Sequence, residues 1–143
     1  MSVIYLLGSL RNHMIPQVGW ELRNAGFEVF DDWFAAGQHA DDEWKDYEQA
    51  RGRSYAMALS GYAAIHTFQF DYYHLNRADI GVLVYPAGKS AHMELGYMIG
   101  RGKPGYILLE EDSDRWDVML QFASGIFYKT EPLIHKLQQE ETI

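Results

Sequence analysis

A chain of 143 residues, 48% hydrophobic and 22% charged, has the size and composition of one folded domain with a real core, which excludes a disordered or low-complexity protein. The absence of cysteine excludes a disulfide framework, a thiolate metal site and a cysteine nucleophile, and fits a reducing, cytoplasmic setting. A formal net charge of -8 with pI ≈ 5.1 argues against a broad nucleic-acid-binding surface, which needs clustered Lys and Arg. It leaves room for a small phosphorylated ligand, for which one arginine and a few backbone amides suffice.

In chain order, residues 3–7 form a short apolar run closed by Gly8 and Ser9, the pattern of a buried parallel strand. The run lacks a basic start and soon meets Arg11, Asn12 and His13, so it is a poor signal peptide, and no stretch reaches the roughly 18 apolar residues of a membrane span. Ile15, Val18, Leu22 and Ala25 then fall near helical spacing before Gly26, a residue suited to a helix end. Residues 27–30 read as a second strand. Between residues 31 and 61 the periodicity weakens, and Trp33, Phe34, Trp44, Tyr47 and Tyr55 mix with many acids. This excursion is predicted to hold one helix, over about 47–59. It reads equally as a lid or binding loop and as a satellite hydrophobic cluster or dimer contact.

Residues 62–78 are predicted helical, 80–86 a strand, 90–100 a helix, 105–109 a strand and 126–128 the last strand. Thr130 is predicted to cap a final helix with Glu131 and Pro132 in its first turn. Repeated strand-helix units of this length predict an α/β fold: a five-stranded parallel sheet with helices on both faces and right-handed crossovers, residues 1–143 forming one domain. Such sheets bind ligands beyond the carboxyl ends of their strands, where the strand order reverses.

Glu94 stands out against that frame, because it follows a strand and falls within the first turn or so of the next helix. The positive helix end favours its ionised form. A positioned carboxylate of this kind can attack an electrophilic carbon, as glycosyl-transferring enzymes require. An acid in a first turn also serves helix stability alone, so position does not by itself decide between the two.

The segments IYLLGSLRN (4–12), FDYYHLNRADIGVLVYP (70–86) and GKSAHMELGYMIGRGKP (88–104) together resemble the nucleoside 2-deoxyribosyltransferase family in order and spacing across most of the chain. The resemblance implies a flavodoxin-like, Rossmann-like three-layer fold and cleavage or exchange of the bond between a sugar and a nucleobase. It implies that Glu94 is the nucleophile at C1′ of the sugar. It also implies that Asp71 lies beside sugar and leaving base, orienting hydroxyls or assisting proton transfer, and that Tyr5 holds and tunes the nucleophile by hydrogen bonding. From the residues alone, the bland alternative for Asp71 is a helix N-terminal acid and for Tyr5 a core aromatic. Asp79 reads as a turn or capping residue before the third strand.

The loop GSLRN resembles the GSIR loop of the nucleotide N-hydrolase branch, which takes nucleoside monophosphates. On that resemblance Gly8 lets amides approach the ligand, Ser9 offers a hydroxyl and Arg11 forks onto phosphate. Gly88, Lys89 and Ser90 precede the nucleophile helix, and Lys89 and Ser90 would help hold the same group; His92 would contact base or sugar. A solvated arginine and an ordinary helical-turn histidine are the bland alternatives. Transferases of free nucleosides carry an acid a few positions before the nucleophile, where this chain has Gly88, Lys89 and Ser90, so their base-exchange specificity does not carry over. No HExxH or similar spacing occurs among the histidines, and the implied reaction needs neither metal nor cofactor. The resemblance further implies a homodimer or larger homo-oligomer with shared sites, in which residues 116–122, with Asp117 and Met119, are the candidate contribution to a neighbour. Its partner is otherwise a small nucleoside or nucleotide. Two other functions stay open at this stage: a module that sequesters a nucleotide without turnover, and a glycohydrolase of NAD or a cyclic ADP-ribose derivative.

Overall fold

In a computed structural model that describes residues 1–141, five parallel strands form one sheet in the order β2-β1-β3-β4-β5. The strands are β1 (Val3–Leu7), β2 (Glu28–Phe30), β3 (Ile80–Val84), β4 (Gly105–Leu108) and β5 (Gly125–Phe127). The helices are α1 (Ile15–Asn24), α2 (Ala40–Ala50), α3 (Tyr55–Leu59), α4 (Tyr62–Arg77), α5 (Lys89–Gly100) and α6 (Thr130–Glu141), with 3-10 turns at Asp32–Ala36 and Val118–Phe122. This is the flavodoxin-like order, whose switch point lies between β1 and β3.

Each face of the sheet carries its own core. One contains Ile4, Leu6, Val82 and Tyr106 with α1 and α6, and the other Tyr5, Leu7, Leu83 and Ile107 with α4 and α5. The strict alternation along β1 sends odd residues to the α4/α5 face, which aims Tyr5 at α5. β3 is buried at all five positions, as a central parallel strand must be. Helix α5 packs its side chains directly onto glycines of β3 and β4. A Cβ on Gly81 would come within 2.9 Å of Met98 Sδ, and one on Gly105 within 2.7 Å of Leu95 Cδ1. The same floor fixes Glu94, one residue before Leu95.

The expected elements are present, with boundaries shifted by one or two residues, and two expectations fail. The excursion holds two helices, α2 and α3, where one was predicted over 47–59. The break is at Gly52, whose φ of 73° is a left-handed conformation that few side chains adopt. What ties α2 down is a charge: Glu48, 2% exposed, pairs with Arg51 and Arg53. Helix α6 begins at Thr130 itself, so that residue is the first helical one and not a preceding cap.

Candidate active site

The switch point brings Tyr5, Asp71 and Glu94 together from three elements. Tyr5, on β1 and 2% exposed, donates its hydroxyl to Glu94 Oε2 at 3.0 Å. Asp71 projects from the sheet-facing side of α4 and acts electrostatically on both. Phe30 closes the floor, 5.1 Å from the Tyr5 ring and stacked at 3.9 Å on His74, with Phe70 edge-on to both.

Burial governs the charges here. It pushes the Glu94 carboxyl up from 4.5 to about 7; the negative Asp71 adds to the rise and the Tyr5 hydrogen bond opposes it. Asp71 is pushed up from 3.8 to about 6, also by burial. The Tyr5 phenol is held far above its ordinary value by burial and by the two carboxylates, so it stays a donor. The expectation that the helix end keeps Glu94 ionised is therefore reversed. α5 starts at Lys89, which puts Glu94 in its second turn, where the dipole has faded and desolvation wins.

The first loop and the segment after β3 are joined by Asn12, a residue whose role the sequence reading missed. Its buried amide donates to the carbonyls of Val84 and Pro86 at 3.2 and 3.3 Å, while its Oδ1 accepts from Met14 N at 3.0 Å. No sequence signal pointed to those carbonyls, although Asn12 closed the motif IYLLGSLRN. Gly8 is required by packing: a Cβ there would meet Ile15 Cδ1 at 2.7 Å and the Val84 carbonyl at 3.2 Å. Ser9 Oγ accepts from the Arg11 amide at 3.0 Å, and Arg11 reaches Asp42 of α2 at 3.4 Å, both side chains being 63% exposed. The excursion thus touches the first loop through Asp42, another residue unmarked by the sequence.

Gly88 precedes α5 without any side-chain cap, and Lys89 and Ser90 are its first residues, both exposed. The opening amides of α5 are therefore free of a side-chain partner from its cap residue, the arrangement that receives anions at helix ends. His92 bonds through Nδ1 to the Gly88 carbonyl at 2.7 Å and through Nε2 to the Tyr85 hydroxyl at 2.9 Å. A carbonyl only accepts, so Nδ1 carries the proton, and in the neutral ring Nε2 accepts from Tyr85. His92 thereby fixes the turn into α5 and the Tyr85 ring. Tyr85 is also a wall of an open cleft of about 420 Å³ beyond β3, β4 and β5, shared with Leu109, Trp116, Leu120 and Tyr128. Tyr5, Asp71 and Glu94 do not line that cleft; they lie on the β1/β3 side of Tyr85.

Asp79 does what a turn residue does: its Oδ2 accepts from Val3 N at 2.8 Å and its own N–H donates to Val3 O at 2.8 Å, anchoring β1 to β3 away from the site. Asp117 caps the 3-10 turn by accepting from Met119 N at 2.9 Å. Around it Trp116, Val118 and Met119 are 86%, 73% and 57% exposed. Among the described residues no group of three or more His, Cys, Asp or Glu is placed to hold a metal ion, and no helix is long and apolar enough to cross a membrane.

No family model matches the chain, and no curated protein sequence matches it. Solved structures do. A 2-deoxyribosyltransferase from the psychrotolerant Bacillus psychrosaccharolyticus superposes with a TM-score of 0.62 at 17% identity, over 93% of this chain and 90% of that one. A conserved protein from Enterococcus faecalis V583 gives 0.67 at 12% identity, over 98% and 99%. The CMP N-glycosidase BcmB of Clostridium botulinum gives 0.54 at 16% identity, over 95% and 98%. The chain therefore has, along nearly its whole length, the flavodoxin-like fold of a deoxyribosyltransferase and of a nucleotide N-glycosidase.

Proposed function

We propose that the protein cleaves or transfers the N-glycosidic bond of a nucleoside or a nucleoside 5′-monophosphate, with Glu94 as nucleophile. The observation that carries this reading is the Tyr5–Glu94 hydrogen bond at 3.0 Å beside Asp71, at the switch point of the sheet. A Glu94 oxygen bonds to C1′ as the C1′–N bond breaks, the base leaves with a proton, and water or a second base then displaces Glu94 from C1′.

The two carboxyls, at about 7 and about 6, titrate as a pair. Burial raises both, so one proton is shared between them near neutrality. With that proton on Asp71, Glu94 is ionised for attack and Asp71 is able to protonate the departing base. Tyr5 supports the ionised nucleophile, because its hydroxyl stabilises the charged form.

The preference for a 5′-monophosphate rests on Arg11, Ser9 and the amides opening α5, with Gly8, Gly88, Lys89 and Ser90 shaping that edge and His92 holding it. Nucleotide chemistry in the fold neighbour BcmB, a CMP N-glycosidase, supports the same choice. A homo-oligomer whose neighbour completes the site through residues 116–122 belongs to this reading, as does one catalytic domain spanning 1–143 in a reducing, cytoplasmic compartment.

The test is chromatographic detection of released base after incubating wild type and Glu94→Ala with nucleosides, their 5′-monophosphates and NAD. Base released by wild type alone is expected. Release of nicotinamide only would reassign the substrate to NAD, and retained activity in Glu94→Ala would remove the nucleophile. A ligand that raises the melting temperature without any product would make the protein a nucleotide-sequestering module.

A further inference from the structure

The backbone that presents Arg11 is fixed on both sides. The Arg11 amide donates to Ser9 Oγ at 3.0 Å, the Asn12 amide donates to the Ser9 carbonyl at 3.0 Å, and the Asn12 side chain clamps the loop to Val84 and Pro86. The guanidinium, in contrast, projects toward solvent, and among the described residues its one partner is Asp42 Oδ2, at 3.4 Å from Nη2. Asp42 is carried just as firmly. It stands in the first turn of α2 between Asp41 and Glu43. The other end of that helix is anchored by buried Glu48, which pairs with Arg51 and Arg53 and lies against Gly61, where a Cβ would meet Glu48 Oε2 at 3.1 Å. Asp42 lies about 9 Å along the helix from that anchor. Its backbone therefore stays beside Arg11 unless α2 as a whole moves. A first-turn acid stabilises its own helix, but Asp41 and Glu43 do that as well; Asp42 is the one paired with the first loop.

The pair treats the two groups that a nucleoside can carry at C5′ differently. A hydroxyl donates as well as accepts, so it can donate to Asp42 Oδ1, which no hydrogen bond among the described residues occupies, and leave the Arg11–Asp42 pair in place. A phosphate dianion only accepts. To reach the fork of Arg11 it must take Arg11 from Asp42 and then remain beside that carboxylate, with Asp41 and Glu43 adding charge of the same sign.

We propose that Asp42 sets the choice between a 5′-hydroxyl and a 5′-phosphate: its carboxylate offsets the attraction of Arg11 for phosphate and brings nucleosides and nucleoside monophosphates toward parity. The inference rests on the reading that Arg11 lies at the 5′ end of the substrate, and it adds a residue of the acidic excursion to that site. A dianion about 5 Å from an exposed carboxylate is disfavoured about three- to tenfold at physiological salt, before the exposed ion pair that it displaces is counted.

The test uses ligands without a base, so that it does not depend on turnover. Ribose 5-phosphate, ribose and their 2-deoxy counterparts are titrated into the whole chain and followed by NMR, for wild type, Asp42→Asn, Arg11→Ala and the double variant, with far-UV circular dichroism to monitor folding. Asp42→Asn is expected to tighten the 5-phosphates about three- to tenfold, to leave the free sugars no tighter, and to lose most of its gain as salt is raised from about 20 mM to about 0.5 M. In the Arg11→Ala background the gain should shrink, because the pair that phosphate must break is already gone. A 5-phosphate affinity that is unchanged or lower in Asp42→Asn overturns the proposal. So does an equal gain for the free sugars, which would make Asp42 a general obstruction, and so does a failure of every variant to bind the 5-phosphates. These outcomes separate from those of the glycosidic reading. Base release by wild type with no effect of Asp42 keeps the reaction and removes this assignment, whereas Asp42-dependent phosphate binding without base release from any substrate does the reverse.

Discussion

Glu94→Gln is expected to stabilise the protein, and to do so only where the native carboxylate is charged. Glutamine keeps the shape of the side chain and its acceptor for the Tyr5 hydroxyl, while removing the ionisation. The folded state raises the Glu94 value from 4.5 to about 7. The favourable contribution of the protonated group is thus fully present below about 4.5 and is lost as pH rises through about 7. At about 1.4 kcal/mol per pKa unit, the ionised side chain costs the fold on the order of 3 kcal/mol above that range. The Asp71 titration is common to both proteins and largely cancels in the comparison. Urea unfolding of wild type and Glu94→Gln at a fixed protein concentration, in steps from pH 4.5 to 8.5, measures the difference. The gap should be small at pH 4.5, widen through neutrality and level off at about 2–3 kcal/mol, equivalent to roughly 6–12 °C in melting temperature. A gap that is constant with pH, or a variant less stable than wild type at pH 8.5, would refute desolvation as the cause of the raised value.

Three further outcomes follow from particular contacts. Tyr5→Phe removes the hydrogen bond that lowers the Glu94 value while keeping the ring against Phe30. The acidic limb of the kcat/KM profile should therefore move to higher pH, and an unmoved limb would deny that the hydrogen bond tunes Glu94. Arg11→Ala should raise KM for nucleoside monophosphates about 10–100-fold, the worth of a charge-assisted contact, and leave the matching nucleosides unchanged; equal losses on both would exclude phosphate holding. Asn12→Ala should cost about 1–3 kcal/mol in urea unfolding, because the buried Val84 carbonyl loses a donor, and a cost near zero would mean that water replaces the amide.

The sheet was legible because buried parallel strands are continuous apolar runs: residues 80–84 need no alternation to be read, being buried throughout. The excursion was not legible because its organising contact is ionic. Glu48 looks like a solvated acid in a sequence, and only the fold shows that Arg51 and Arg53 neutralise it in the interior. The candidate site was legible by resemblance more than by pattern. Tyr5 and Glu94 stand 89 positions apart, and nothing local to either names the other. Their protonation was misread for a related reason: the helix end is a sequence-level feature, whereas desolvation depends on burial by elements the local pattern does not connect. Asn12 lies in the same category, since its partners Val84 and Pro86 are defined only once β1 and β3 are adjacent.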